Sequence, residues 1–202
     1  MRYLQIIVIS IMALIIALAA AAMGGPAPVV VVIAMSVVIG SGWSSAVGIR
    51  ARYRHNVIIL TSGVLAAMLS WWQPDQRLVW LPAIVGMALI AIFIAELVRG
   101  EGARYRLEST ISSVVAVLAV VSSSGWIALS QYLHDLGRSP VAPVLISGAV
   151  SFLVIGVIGA RLIASAPKEG PRRGALSLGV TPVALLGPAV LVTSQIVGLV
   201  VA

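Results

Sequence analysis

Residues that commonly carry out chemistry are scarce in this chain of 202 residues. It contains two histidines, His55 and His134, six acidic residues and no cysteine. Without cysteine there can be no disulfide, thiolate metal site or cysteine nucleophile. Enzymes that use metal ions to act on phosphates need several clustered aspartates, and this chain has only Asp75 and Asp135. The sequence also lacks the glycine-rich motif ending in lysine that binds nucleotide phosphates. We therefore predict that the protein is not an enzyme and holds no metal or cofactor.

Charged residues are concentrated in one segment, between positions 96 and 108. Within it, Glu96 can pair with Arg99 three residues later on a helix, and Arg104 and Arg106 follow. The simpler interpretation of these four residues is a solvated charged collar on the cytoplasmic side. The alternative is a docking site for a partner protein or for anionic lipid head groups. Glu96 is the acidic residue closest to an apolar segment, so we expect its removal to have the largest effect.

Small residues recur at four-residue spacing at Gly40, Ser44 and Gly48. On a helix these positions share one side, where small side chains let a second helix approach closely. The spacing predicts a helix-packing face, with its partner either in this chain or in another protein. Leucine at any of the three positions is expected to disrupt that contact.

Uncharged polar residues form two further clusters, one in the fifth apolar segment and one in the last. The clusters are Ser122, Ser123 and Ser124, and Thr193, Ser194 and Gln195. Their positions along the segments place both in the outer third of a membrane. If they meet, they would form an outward-facing polar pocket for a neutral ligand; otherwise each makes ordinary interhelical hydrogen bonds. In the last segment, Pro182 and Pro188 should kink or interrupt the helix.

Composition determines the kind of element that must position these residues. Apolar residues make up 60% of the chain and charged residues 9%, and the mean hydropathy is +1.12. Soluble domains are about one quarter charged, so this chain has too little polar surface to be one. Its net charge of +7 comes from residues in short loops between apolar runs. That placement favours a membrane topology over nucleic-acid binding.

Seven segments are long and apolar enough to cross a bilayer as helices, which takes about 20 residues each. They cover residues 3–23, 27–49, 56–72, 78–95, 110–129, 141–160 and 175–201. Backbone groups in lipid must be paired within the segment. We therefore predict an all-α, polytopic transmembrane helical bundle that forms a single domain over residues 1–202. The first segment has an alternative interpretation as a cleaved secretory signal, because Arg2 precedes its apolar run and four alanines end it.

The loops predict the orientation of the bundle, because short loops rich in lysine and arginine stay in the cytoplasm. Of the 13 basic residues, only Arg77 and Arg138 fall in one set of alternate loops, and the other eleven fall in the opposite set. The N-terminus is thus expected inside and the C-terminus outside. This predicted topology puts His55 and His134 on opposite sides of the membrane, where they cannot share a site.

Ala-Arg-Tyr-Arg occurs twice, at residues 51–54 and 103–106, in the loops after the second and fourth segments. An offset of two spans would make the helix hairpins parallel repeats. In that register Ile59 aligns with Ile111, and Ala67 with Ala119. The alternative is coincidence, because basic inner loops and apolar spans produce such matches readily. The repeated hairpins therefore stay an open prediction at this level.

The segment from Trp80 to Trp126 carries a loose set of motifs. They are Leu81-Pro82, Phe93, Glu96, Arg99-Gly100-Glu101-Gly102, Arg106-Leu107-Glu108-Ser109 and Gly125-Trp126. Over about a quarter of the chain they resemble a family of polytopic membrane proteins of high-GC Gram-positive bacteria. The resemblance implies a bacterial plasma membrane and carries no activity.

Two functions from different classes fit the sequence best. The first is a non-enzymatic subunit or assembly factor of a larger membrane complex, since loops are short and small-residue faces are plentiful. The second is a permease or flippase-like carrier for an uncharged or lipid-like substrate, for which the outer polar pocket would be the site. Expected partners are membrane lipids and another membrane protein or a second copy of the chain, and no nucleic acid.

Overall fold

The computed structural model of the chain describes residues 2–47, 52–73, 78–98, 106–135, 141–165 and 172–201. Almost all of these residues are helical, and no strand occurs among them. The helices are α1 (Arg2–Met23), α2 (Ala27–Val47), α3 (Arg52–Trp72), α4 (Leu81–Val98), α5 (Arg106–Ser122), α6 (Gly125–Asp135), α7 (Val141–Ser165), α8 (Arg172–Leu185) and α9 (Gly187–Val201). The predicted all-α class is confirmed.

Six stretches of the described chain are long and apolar enough to cross a membrane. Four correspond to α1, α2, α3 and α4, the fifth joins α5 with α6 (Leu107–Asp135), and the sixth joins α8 with α9 (Gly174–Leu199). The remaining predicted span coincides with α7, whose apolar portion Leu145–Gly159 is shorter. Each predicted segment is thus helical over most of its described residues, and six of them have the length and composition of a span.

Two of the six spans are interrupted. The last one breaks at Leu186, between α8 and α9, which confirms the interruption predicted from its prolines. Pro188 has no N–H to continue the helical hydrogen bonds, and Leu186 N donates to the carbonyls of Pro182 and Val183 at 3.2 and 3.3 Å.

The interruption between α5 and α6 was not predicted. It consists of a turn at Ser123 and Ser124. Their hydroxyls donate to the carbonyls of Val120 and Val121, at 2.6 and 2.7 Å. Such bonds slightly destabilise and bend helices, and here the backbone also changes to bonds across three residues, from Ser124 N to Val121 O at 3.2 Å and from Trp126 N to Ser123 O at 3.1 Å.

The two interruptions lie against each other in the centre of the bundle. Gly125 begins α6 and Gly187 begins α9, and a Cβ atom added to Gly187 would lie 3.2 Å from both the Cα atom of Gly125 and the backbone nitrogen of Trp126. Trp126 Nε1 donates to Val183 O at 3.0 Å, and this hydrogen bond links α6 to α8 beside the crossing. Trp126, Ile127 and Val183 are fully buried. The backbones therefore meet directly, which only glycine permits.

α2 is the central helix and packs most extensively on α8 and α3, whereas α4 lies at the periphery against α5 and α3, and α7 lies against α9 and α1. The outer surfaces of the two peripheral helices are apolar, with Ile90 and Phe93 exposed on α4 and Phe152 and Leu153 exposed on α7. Such surfaces suit contact with lipid or with another membrane protein.

The aligned positions of the 52-residue repeat do not share one environment. Ala67 and Ala119 are both buried, but Ile59 is fully buried and Ile111 is largely exposed. Aligned positions in the hairpins α2–α3 and α4–α5 therefore differ in burial, so the two hairpins do not pack in the same way.

Candidate functional site

A buried polar cluster joins three helices at one end of the bundle. We define the inner polar cluster as His55 on α3, Glu96 on α4 and Ser113 on α5. His55 Nδ1 lies 2.6 Å from Ser113 Oγ, and His55 Nε2 lies 3.1 Å from Glu96 Oε1. The exposed fractions of the three residues are 3%, 4% and 0%. Ionisable groups so deep among apolar helices are costly, and they are retained where they are paired and used.

The helix order brings these residues together. His55 is in the first turn of α3, Glu96 is in the last turn of α4, and Ser113 lies two turns into α5. Since α3, α4 and α5 alternate in direction, these positions lie at the same end of the bundle. Glu96 continues the buried side of α4 that contains Ala88 and Ile92, so the carboxylate is directed at the neighbouring helices and away from the surroundings.

The hydrogen bonds of the inner polar cluster allow two proton counts. If the Ser113 hydroxyl donates to Ser109 O, which lies 2.8 Å away, then His55 Nδ1–H donates to Ser113 Oγ. A proton is then needed between Nε2 and Glu96 Oε1, on either the imidazole or the carboxyl group, because two bare acceptors repel at 3.1 Å. If the hydroxyl donates to Nδ1 instead, a neutral imidazole donates its Nε2 proton toward the carboxylate. The two states differ by one proton and one hydroxyl rotation, with no movement of heavy atoms.

Serine, histidine and carboxylate stand in the order of a catalytic triad, but the serine is fully buried here. A serine nucleophile needs space for a substrate beside its hydroxyl oxygen. Ser113 has no exposed surface, and neither of the two described cavities is lined by any member of the cluster. The contacts of the cluster tie α3, α4 and α5 together.

The predicted cytoplasmic collar differs from the structure at its first residue. Glu96 is buried and pairs with His55, so it does not belong to an exposed docking surface. The physical reason is tertiary: a carboxylate on the inward side of α4 meets a histidine from α3. Arg99 and Arg104 lie outside the described residues, and Arg106 is the first residue of α5.

The predicted packing face lies on the inward side of α2. Gly40 and Ser44 are both buried, and Gly48 is outside the described residues. A Cβ atom added to Gly40 would lie 3.4 Å from both the carbonyl oxygen of Asn56 and the Cβ atom of Leu60. At Gly40 the partner of the face is thus α3 of the same chain, and leucine there would collide with the α3 backbone.

The two polar clusters of the predicted outer pocket do not meet. Ser122 to Ser124 lie at the crossing, where Gly187 packs against the Ser122 carbonyl. Thr193 to Gln195 begin six residues farther along α9, about 9 Å away at the helical rise per residue. Ser123, Ser124 and Thr193 instead donate to carbonyls within their own segments. Neither described cavity is lined by either cluster, and Ser194 is buried with no hydrogen-bond partner for its hydroxyl.

A cavity of about 410 Å³ does occur at the opposite end of the bundle from the inner polar cluster. We call it the outer cavity. It lies between the α1–α2 turn, the end of α3 and the end of α6, and its polar lining comes from Ser130, Gln131, His134 and Asp135. His134 is therefore remote from His55, in agreement with the predicted separation of the two histidines.

Sequence reasoning missed His55 as a member of the site. The topology of the chain could have indicated it. The count of lysine and arginine in alternate loops predicts that the third span begins, and the fourth span ends, on the same side of the membrane. His55 and Glu96 occupy those two positions. Sequence spacing predicts the pair Glu96–Arg99 instead, because both residues lie on one helix and no tertiary contact is needed to bring them together.

A scan against protein-family models, a search of curated proteins and a search of solved structures each find no match to this chain.

Proposed function

We propose that the protein is a multi-pass plasma-membrane protein of seven spans, with its N-terminus in the cytoplasm, that serves as a non-enzymatic subunit or assembly factor of a larger membrane complex. The observation that carries this proposal is the closed centre of the bundle. At the crossing of the interrupted spans, backbone meets backbone at Gly125 and Gly187, and Trp126 fills the space beside them. A solid centre favours a scaffold over a conduit.

Two further features support a structural role. The buried hydroxyls near the crossing, Ser123 and Ser124, are used by their own helix and so line no polar path. The only ionisable pair buried within the described part of the bundle, His55 with Glu96, connects two helices, and Ser113 beside it is fully buried. Meanwhile the peripheral helices α4 and α7 present wide apolar surfaces on which a membrane partner can pack.

Site-specific photo-crosslinking in living cells tests the proposal. A crosslinking amino acid is placed singly at Phe93 on α4 or Phe152 on α7, both exposed, with the buried Trp126 as the matched control position. We expect one discrete, reproducible protein adduct from at least one exposed position, and the same protein should co-purify in stoichiometric amount in mild detergent. Lipid adducts alone from both exposed positions, with no co-purifying protein, would contradict the subunit proposal.

A carrier for a small or lipid-like substrate is the second candidate function. Two observations favour it: two discontinuous spans cross at their breaks, as occurs in many secondary transporters, and the outer cavity is large enough for a small molecule. Under this alternative, mass spectrometry of the purified protein should find a bound lipid or metabolite where the subunit proposal expects a protein.

The proposed orientation is tested by cysteine labelling in intact cells, which is clean because the chain has no native cysteine. Cysteine at Gly25, in the exposed α1–α2 turn, is expected to react with an impermeant maleimide from outside. Cysteine at Tyr53, whose side chain is 82% exposed at the start of α3, is expected to react only after the membrane is permeabilised. The reverse pattern would invert the topology and, with it, the assignment of the inner polar cluster to the cytoplasmic end.

A further inference from the structure

We propose that a groove between α1 and α7 binds an anionic phospholipid, with one acyl chain in the groove and the head group at the end where arginines lie. The groove encloses about 180 Å³. Its walls come from α1 between Ile6 and Ile11 and from α7 between Phe152 and Gly159. This surface is separate from the outer cavity, and the inference does not depend on the subunit function.

The lining of the groove suits a hydrocarbon chain. Seven of its eight residues are apolar side chains or glycines. The eighth, Ser10, donates its hydroxyl proton to Gly179 O on α8 at 2.7 Å, so that proton is already used inside the protein. Small-molecule sites usually measure about 300–1,000 Å³ and contain several polar groups. This smaller, apolar groove therefore fits part of an acyl chain better than a polar solute.

Two glycines on α7 keep the groove open. Where α1 and α7 touch, a Cβ atom added to Gly148 would lie 3.3 Å from Leu18 Cδ1. Farther along α7, a Cβ atom added to Gly156 or Gly159 would meet nothing within 4 Å. The two helices thus separate toward the end where α1 begins and α7 ends. The gap follows their axes for about 8–10 Å at the helical rise per residue, and the exposed Phe152 lies on its open side.

The charges at the open end of the groove complement an anionic head group. α1 begins at Arg2, four residues before Ile6, and Arg161 follows Gly159 by two residues on α7. α8, which packs against α1, begins at Arg172. The helices α1, α7 and α8 contain no aspartate or glutamate. Basic residues at the membrane surface attract anionic lipids, so a phosphate group at this end is favoured by all three helices.

The size of the groove favours a lipid chain over a helix from a partner or from a second copy of the protein. A helix with its side chains is about 10–12 Å in diameter, so it could place only single side chains in a groove of about 180 Å³. The space beside Gly156 and Gly159 would then be incompletely filled, and atoms that line a void lose dispersion contacts. A flexible acyl chain can follow the groove along its whole length.

Native mass spectrometry of the full-length protein tests the preference for an anionic head group. Protein in detergent micelles is titrated with phosphatidylglycerol or with phosphatidylcholine that carries the same acyl chains. We expect phosphatidylglycerol to bind several-fold more tightly, and we expect Arg161→Gln to reduce that ratio. Equal binding of the two lipids to the wild-type protein would overturn the proposal.

Substitutions that fill the groove test where the lipid binds. Gly156→Leu and Gly159→Leu should each reduce phosphatidylglycerol binding several-fold, because the leucine side chain takes the place of the acyl chain. Gly86→Leu is the matched control: Gly86 lies on α4, where an added Cβ atom also meets nothing within 4 Å, and binding should be unchanged. Circular dichroism verifies that each variant is folded. Wild-type binding in both groove variants would overturn the proposal.

Photo-crosslinking gives a readout that needs no variant. Phosphatidylglycerol with a diazirine in its acyl chain is bound to the wild-type protein, and the adducts are located by peptide mass spectrometry. We expect adducts to concentrate on Ile7, Ile11 and Phe152, in the groove, relative to Ile90 and Phe93, which are exposed on α4. Adducts spread evenly over both surfaces would show a lipid layer without a site and would overturn the proposal.

The outcome of these measurements is distinct from the tests of function. They use purified protein, so a failure to bind lipid differs from a failure to find a protein partner in cells. The carrier function expects its ligand in the outer cavity, and a lipid in the groove between α1 and α7 is therefore not that ligand.

Discussion

Replacing Glu96 with alanine is expected to destabilise the bundle by about 3–5 kcal/mol where the pair with His55 is ionised and by about 1–3 kcal/mol where it is neutral, since a buried polar group is left unpaired in either case. The cost arises because His55 Nε2, 3.1 Å from the carboxylate, would lose its counterpart inside an apolar environment. Glu96→Gln should cost far less, because the glutamine amide can donate a hydrogen bond to Nε2 in place of the proton. Denaturant or SDS unfolding of the purified protein measures both effects.

A double-mutant cycle shows whether the effect comes from the pair. Glu96→Ala combined with His55→Ala should destabilise by less than the sum of the single variants, with a coupling of about 0.5–3 kcal/mol. The matched control is Glu108→Ala: Glu108 is also near this end of the bundle, on α5, but it is exposed, and we expect no measurable change. Additive single effects, or a Glu108 variant as damaging as the Glu96 variant, would show that the inner polar cluster does not couple its members.

The helices were predictable because their signals are local. Apolar runs bounded by turn residues predicted α2 to begin at Ala27, where the structure has it. The predicted third span begins at Asn56, four residues after α3 begins at Arg52, because the residues before Asn56 are polar. His55 lies within the helix and is buried, and its partners are Glu96 and Ser113 on two other helices. These contacts are tertiary and leave no mark on the neighbouring sequence.

The serine-rich stretch of the fifth span shows a second limit. A hydroxyl in a membrane helix can bond a neighbouring helix, a ligand or its own backbone, and the residue type alone does not distinguish these. Ser123 and Ser124 bond their own backbone at a break in the helix, whereas Thr193 makes the same kind of bond within an unbroken α9. The break in α8–α9 was predictable because proline acts through its own missing N–H.

The interrupted spans lead to the second large expected effect. Gly125→Ala should destabilise by at least the upper end of the roughly 1–3 kcal/mol typical of overpacking. The new methyl group would overlap the backbone at Gly187 and Pro188. Backbone atoms, unlike a flexible side chain, cannot rotate away, so α6 and α9 would have to separate and Trp126 would lose its bond to Val183 O. Unfolding of purified variants in one detergent measures the change.

A graded series of glycine variants separates this clash from a general effect of adding a methyl group. At Gly86, in α4, a Cβ atom would meet nothing within 4 Å, so Gly86→Ala should be neutral or stabilising by up to about 1 kcal/mol through helix propensity. At Gly63 a Cβ atom would meet the Ser36 hydroxyl, which can rotate, and would lie 2.7 Å from the Ser36 Cβ atom, which cannot. Gly63→Ala should therefore destabilise, but by less than Gly125→Ala, whose clash is with the backbone itself. If Gly125→Ala is tolerated as well as Gly86→Ala, the backbones at the crossing are free to separate. The closed centre would then no longer argue for a scaffold, and the crossing of interrupted helices would instead favour the carrier function.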